Sequence, residues 1–163
     1  MARRVFFSFH YERDGQRASI VRNSWVTKAD HQEAGFIDAA HWEEVKGQGD
    51  KAIRSWIDDQ LSGTSVTVVL IGAETTNRDW VKYELKESYK RGNGMLGIRL
   101  GNIKDFQQRT EAQGSNTFGE IGKGADGQPA YFSVNYKTYD WEVDKGYDNL
   151  GTWVENAAKA AGR

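Results

Sequence analysis

Short β-prone runs and helical stripes alternate along this chain. Arg4 to Phe9 reads Arg-Val-Phe-Phe-Ser-Phe, which predicts a buried first strand. Gln16 to Val26 suits a helix, with Ile20, Val21, Asn23, Ser24 and Trp25 at mixed helical spacings. Gly35 to Asp38 predicts a second, very short strand. From Asp50 to Leu61 the residues Ile53, Trp56, Ile57 and Leu61 form one amphipathic stripe. Asp50 is placed to cap that helix, and Gly63 follows its end. Ser65 to Ile71 is β-branched and nearly apolar throughout, as expected of a strand covered on both faces. A helix from about Arg78 to Arg91 buries Val81, Leu85 and Tyr89, and Gly92 stops it. Met95 to Leu100 and Tyr131 to Tyr136 are further strand candidates. Asn149 to Ala161 predicts a terminal helix with Leu150, Trp153, Val154, Ala157 and Ala161 on one face.

This order predicts a single α/β domain over residues 1–163, with a mostly parallel central sheet flanked by helices. Right-handed crossovers make a flavodoxin-like winding the natural one. Ligands then bind beyond the carboxyl ends of the strands, which points to the segments after Phe9, Asp38, Gly72 and Leu100. Residues 101–130 break the pattern. They are polar and rich in glycine, and read as a loop insertion with a functional or mobile role.

At 163 residues, the chain is long enough to bury a sizeable core without a metal or disulfide staple. It has no cysteine, which excludes disulfides, thiolate zinc sites and cysteine nucleophiles. A net charge of -1 argues against a general nucleic-acid binder. No apolar run is long enough to span a bilayer, and the first residues lack a signal-peptide core. The expectations are a cytoplasmic protein with no membrane or nucleic-acid partner and no metal. Aromatic residues make up 12%, six of them Trp, a feature that fits either a packed core or ring-stacking sites.

Several motif matches fail on context. Gly122 to Gly127 and Gly92 to Gly97 both fit GxGxxG, but neither follows a strand and opens a helix. His41-Trp42-Glu43 resembles part of a zinc-deaminase signature whose cysteines are absent. A phosphoacceptor Asp is missing from the end of the third strand, which reads Ile71-Gly72-Ala73. What survives is Arg78-Asp79-Trp80-Val81-Lys82-Tyr83-Glu84. On a helix, Trp80 and Glu84 stack at i and i+4 near the strand ends. They read either as a packed ring with a solvated carboxylate or as a ring beside a carboxylate able to hold ribose hydroxyls. After the first strand, Ser8 suits a local hydroxyl bond or a binding role. Phe9 and His10 lie where ligands are expected, and Trp42 either stacks on a ring or covers the core.

Several blocks together resemble the bacterial TIR-like proteins of the Thoeris antiphage defence system, the ThsB family. They are Arg4 to Tyr11, Val21 to Thr27, Thr64 to Gly72, Asn77 to Glu84 and Tyr139-Asp140-Trp141. The resemblance implies a TIR fold and an enzyme that uses NAD as its substrate, with no other cofactor. It implies Glu84 as the catalytic glutamate and Trp80 as the tryptophan four residues before it. It implies a cyclic ADP-ribose isomer as the product, a second messenger that activates a separate effector. A phage-derived trigger and self-association are further implied partners. Val81 departs from the family, where Cys often follows that Trp. Two other functions stay open: a non-catalytic TIR interaction module and a sensor that binds an NAD-like nucleotide without turnover.

Overall fold

The computed structural model describes residues 3–26, 31–34 and 39–163. The chain begins with β1 (Arg3–Ser8), α1 (Gly15–Val26), β2 (His31–Ala34), α2 (Ala39–Gly47) and α3 (Asp50–Leu61). It continues with β3 (Val66–Ile71), α4 (Asp79–Lys90) and β4 (Gly94–Arg99). Then come β5 (Glu120–Lys123), β6 (Pro129–Tyr131), the single turn α5 (Phe132–Asn135), β7 (Thr138–Asp140) and α6 (Gly146–Ala160). The main sheet has the order β2-β1-β3-β4-β7, and every pairing is parallel. This is the flavodoxin-like winding expected from the alternation.

β3 is buried at every position. Its residues divide between two cores, as strand alternation requires. Val66, Val68 and Leu70 join the larger cluster with Phe6, Trp25, Ile57 and Val154. Val69 and Ile71 join the smaller cluster with Val81 and Leu85 of α4. A sheet covered on both faces leaves polar groups only its ends, apart from a buried set on β3 and its neighbours. There Thr67 Oγ1 lies 2.7 Å from Ser88 Oγ, and Asn93 donates to Thr64 and Thr67.

The structure corrects several expectations. Gly35 to Asp38 lies outside the described residues; the second strand described is His31–Ala34. Asp50 is the first helical residue of α3 and makes no cap. Gly49 holds the cap position at a φ of 94°, a backbone that glycine adopts readily. Tyr131 to Tyr136 is not a strand of the main sheet. β6 ends at Tyr131 and pairs antiparallel with β5, away from that sheet. Phe132 then turns into the smaller core, and the Tyr136 N–H closes a helical turn onto the Phe132 carbonyl. The last strand is Thr138–Asp140. α2 has no counterpart among the expected helices.

Residues 101–130 are built into the fold. Ile103, Phe118 and Ile121 are buried. Phe118 and Ile121 pack on the α4 stripe, where periodicity gave no signal because one residue at a time is anchored. Arg17 donates to the carbonyls of Ile103 and Arg109, at 2.7 and 2.9 Å. Arg13 pairs with Glu111, Asp14 and Glu74, each at 2.6–2.7 Å. The segment passes so close over the end of β3 that a Cβ on Gly114 would lie 2.0 Å from the Gly72 carbonyl oxygen. It therefore covers the carboxyl end of β3 and leaves the end of β1 for a site.

β4 meets α6 just as closely. A Cβ on Gly94 would fall 2.3 Å from the Ala157 carbonyl oxygen, a backbone atom that cannot swing aside. Gly94→Ala is therefore expected to destabilise the protein by about 1–3 kcal/mol, measured by denaturant unfolding. A Gly47→Ala control, whose Cβ meets nothing within 4 Å, should stay near wild type.

Candidate functional site

The first strand ends in a run of aromatics, and α4 lies beside it. The amphipathic stripe of α4 buries Val81, Leu85 and Ser88, and it also buries Glu84 completely. A carboxyl group in that position exchanges water for few partners. The Tyr11 hydroxyl donates to Glu84 Oε2 at 3.3 Å. Glu84 Oε1 and Ser8 Oγ are both buried without a hydrogen-bond partner of normal geometry. Burial raises the Glu84 carboxyl well above the usual carboxylate range, and the neighbouring Ser8 and Tyr11 hydroxyls oppose this only in part. The same burial, with Glu84 beside it, raises the Tyr11 phenol.

Tyr11 is itself enclosed by rings. Its centroid lies 4.5 Å from Phe9, 4.8 Å from Trp42 and 6.0 Å from Trp56. Trp42 is fixed by a 3.0 Å hydrogen bond from its indole N–H to Glu12. Glu12 also pairs with Lys46 at 2.7 Å and faces Arg78 at 3.7 Å. Hydrogen bonds from Lys46 and Trp42 hold the Glu12 carboxyl below its ordinary value. Partial burial, with Arg78 nearby, lowers the His10 imidazole, which favours its neutral form.

These groups surround a small cavity at the carboxyl end of β1. Phe9, His10, Trp42 and Trp80 line it, as do Tyr11, Glu12, Arg78 and Val81. It is small, with a volume of about 10 Å³. Of the residues singled out from sequence, Phe9, His10, Trp42 and Trp80 come together around this cavity. Ser8 and Glu84 do not line it; Tyr11 does, and its hydroxyl is bound to Glu84. Trp42 both covers the core and reaches the cavity. Sequence reasoning missed Tyr11, Glu12 and Arg78. Tyr11 and Glu12 directly follow His10, and Arg78 opens the block that carries Trp80, so position relative to the strand ends was the available signal. Among the described residues, no group of three or more His, Asp or Glu could hold a metal ion.

A parallel sheet in this winding, with a ring-lined cavity beyond β1 and a buried glutamate after β3, defines a flavodoxin-like α/β protein with a carboxyl-end site. A family model described as the Thoeris protein ThsB, TIR-like domain, matches residues 6–105. The chain is also 36% identical over 191 residues to a Bacillus cereus (strain MSX-D12) protein named "Putative cyclic ADP-D-ribose synthase ThsB1". That match covers 94% of this chain and 100% of the relative. The chain belongs to the ThsB TIR-like family of Thoeris proteins.

Burial of Glu84 carries a pH signature. Its pKa is raised in the folded state, so folding favours the protonated form. Its contribution to stability is complete below the unfolded value and is lost as pH rises through the folded value. Asp14, also buried and raised to about 6, acts in the same direction. Glu84→Gln keeps the shape and an acceptor for Tyr11 but cannot ionise. Its Tm should match wild type near pH 4 and exceed it at pH 8, by roughly 2–4 °C for each kcal/mol relieved. A Tm gain that is the same at both pH values would show that ionisation of Glu84 is not what costs stability.

Proposed function

We propose that this protein consumes NAD and forms a cyclic ADP-ribose isomer, which acts as a diffusible second messenger in antiphage defence. The observation that carries the reading is a buried, under-bonded carboxyl group, Glu84, behind a ring-lined cavity at the carboxyl end of β1. Family membership and the name of the Bacillus cereus relative support it.

The chemistry suits one carboxylate. The bond from nicotinamide to ribose breaks with its electron pair going to the nicotinamide nitrogen, which leaves neutral. The ribose carbon becomes an oxocarbenium-like cation, and a negative charge placed beside it lowers the barrier. Glu84 supplies that charge and accepts hydrogen bonds from the ribose hydroxyls. A hydroxyl elsewhere on the same ADP-ribose then attacks the cation and loses its proton to the carboxylate or to water. Proximity favours this over hydrolysis, because a folded, positioned nucleophile reaches effective molarities of order 10⁵ M or more. Phe9, Trp42 and Trp80 hold the rings and exclude water, His10 and Arg78 face the phosphates, and Ser8 orients the carboxylate.

The small size of the cavity adds one condition. A dinucleotide does not fit in about 10 Å³, so Tyr11 must leave Glu84 before substrate reaches it. That movement also hydrates the carboxyl group and returns its pKa toward the normal range, which supplies the charge when it is needed. A phage-derived trigger acts by favouring this open form, in the cytoplasm, and the product activates a separate effector.

The test is nucleotide mass spectrometry on phage-challenged cells carrying wild type or Glu84→Gln. Wild type should lose NAD and accumulate nicotinamide and a cyclic ADP-ribose isomer. Glu84→Gln should lower both products by at least about 10²–10³-fold. Only linear ADP-ribose would assign a hydrolase. Defence retained without Glu84 would assign an interaction module, and NAD bound without nicotinamide release would assign a sensor.

A further inference from the structure

A second cavity lies at the opposite end of the sheet from Glu84. Its volume is about 430 Å³, within the usual range for small-molecule sites. It exists because β7 starts late. β4 and β7 pair only from Gly97 with Thr138 to Arg99 with Asp140. The preceding residues turn away as α5, so Gly94 to Leu96 face a notch where a strand would otherwise run.

This notch presents a donor and an acceptor. Along β4 the N–H groups alternate in direction. Those of Gly94 and Leu100 donate to β3 or the residue before it, and that of Gly97 donates to Lys137. Met95 has the parity of Gly97, so its N–H and C=O both point to the β7 side. No partner for either group is recorded among the described residues, although Met95 is only 2% exposed. Buried backbone groups nearly always find a partner in protein, water or ligand. The cavity is what these two groups face.

The walls favour a flat ring. Tyr139 and Trp153 stack with centroids 4.0 Å apart and planes 7° apart, and both line the cavity. Tyr89 and Tyr136 add further ring surface, and Ala157 and Ala160 keep the α6 side low. The lining contains no carboxylate, and its one charged side chain is the exposed Lys137. A peptide strand is a poorer occupant, because Thr138 blocks the edge at Gly97 and leaves three residues to pair.

We propose that this notch is a second ligand site, for an adenine nucleotide. The adenine edge places an acceptor, N1, beside a donor, the N6 amino group. That pattern complements the Met95 N–H and C=O. The ring lies against the aromatic walls, and Lys137 takes the phosphate. The site is separate from the carboxyl-end cavity and does not depend on NAD turnover.

Met95 also provides the probe, since the chain has only two methionines, Met1 and Met95. Adenosine monophosphate is titrated into the full chain carrying ¹³C-methyl methionine and ¹⁵N labels. The methyl and amide signals of Met95 should shift with saturation in the roughly micromolar to millimolar range. Ala160→Trp, on the exposed last turn of α6, should fill the notch and weaken binding at least about tenfold. Lys137→Glu should weaken the monophosphate but not adenosine. Guanosine monophosphate, with the opposite donor and acceptor order, should bind at least about tenfold less well. Glu84→Gln should leave all of this unchanged. No shift at Met95, binding unaffected by Ala160→Trp, equal binding of guanosine monophosphate, or loss of binding in Glu84→Gln would each overturn the assignment.

Discussion

The parallel ladder between β1 and β3 is buried on both faces, and that constraint sorts the chemistry of the whole chain. Val5, Phe6, Phe7, Val68, Val69 and Leu70 have no exposed surface. Water cannot reach the middle of such a sheet, so an unpaired polar group there would cost about 1–3 kcal/mol. Polar groups therefore either satisfy one another, as Thr67 and Ser88 do, or collect at the strand ends. The carboxyl end divides in two. Beyond β3 it is filled by the Arg13, Asp14, Glu111 network and by the backbone at Gly114. Beyond β1 it is filled mainly by rings, with Glu12 and Arg78 beside them.

Glu84 and Asp14 are both buried carboxyl groups, yet their surroundings differ. Asp14 has a guanidinium at 2.7 Å and a hydroxyl from Thr75 within reach, which offset only part of the burial that raises it to about 6. Glu84 has one hydrogen bond of normal geometry, at 3.3 Å, and otherwise only the neighbouring Ser8 hydroxyl. A residue chosen for stability alone would not be a glutamate there, because a buried apolar side chain carries no such desolvation cost. Carrying an ionisable group at such a position is the usual mark of a site whose chemistry is bought with stability.

The sheet was legible in the sequence where apolar runs are continuous, as at Arg4 to Phe9 and Ser65 to Ile71. The helices were legible where one stripe is apolar, as at Asp50 to Leu61. Tyr131 to Tyr136 misled because its β-prone composition is overruled by one buried side chain, Phe132, which turns the chain into the smaller core. β7 was invisible because three residues are too few to show a period. Around Glu84, proximity to a strand end pointed to Phe9 and His10, and the i, i+4 spacing to Glu84 pointed to Trp80. Neither identified Tyr11, whose importance lies in a bond to a residue 73 positions away. The notch beside Met95 is likewise a matter of register, and register between β4 and β7 is not written in either strand alone.

α4 runs between the two cavities, and the groups along it are bonded in series. The Glu84 carbonyl accepts from Ser88 Oγ at 2.7 Å, and Ser88 meets Thr67 at the same distance. Asn93 donates to Thr67 and Thr64, accepts from Arg163 and lines the far cavity. Tyr89, one residue beyond Ser88, lines that cavity too. A chain of buried hydrogen bonds has few alternative arrangements, because each member that turns away strands its neighbour. It fixes the axial position and rotation of α4 against β3. Opening of the carboxyl-end site is therefore left to the rings of Tyr11, Trp42 and Trp56, whose one tie to Glu84 is the 3.3 Å bond from the Tyr11 hydroxyl. Rigid helix and movable aromatic cover are two consequences of one placement, a polar seam from Ser88 onward and an under-bonded carboxyl group one turn before it on the same face of α4.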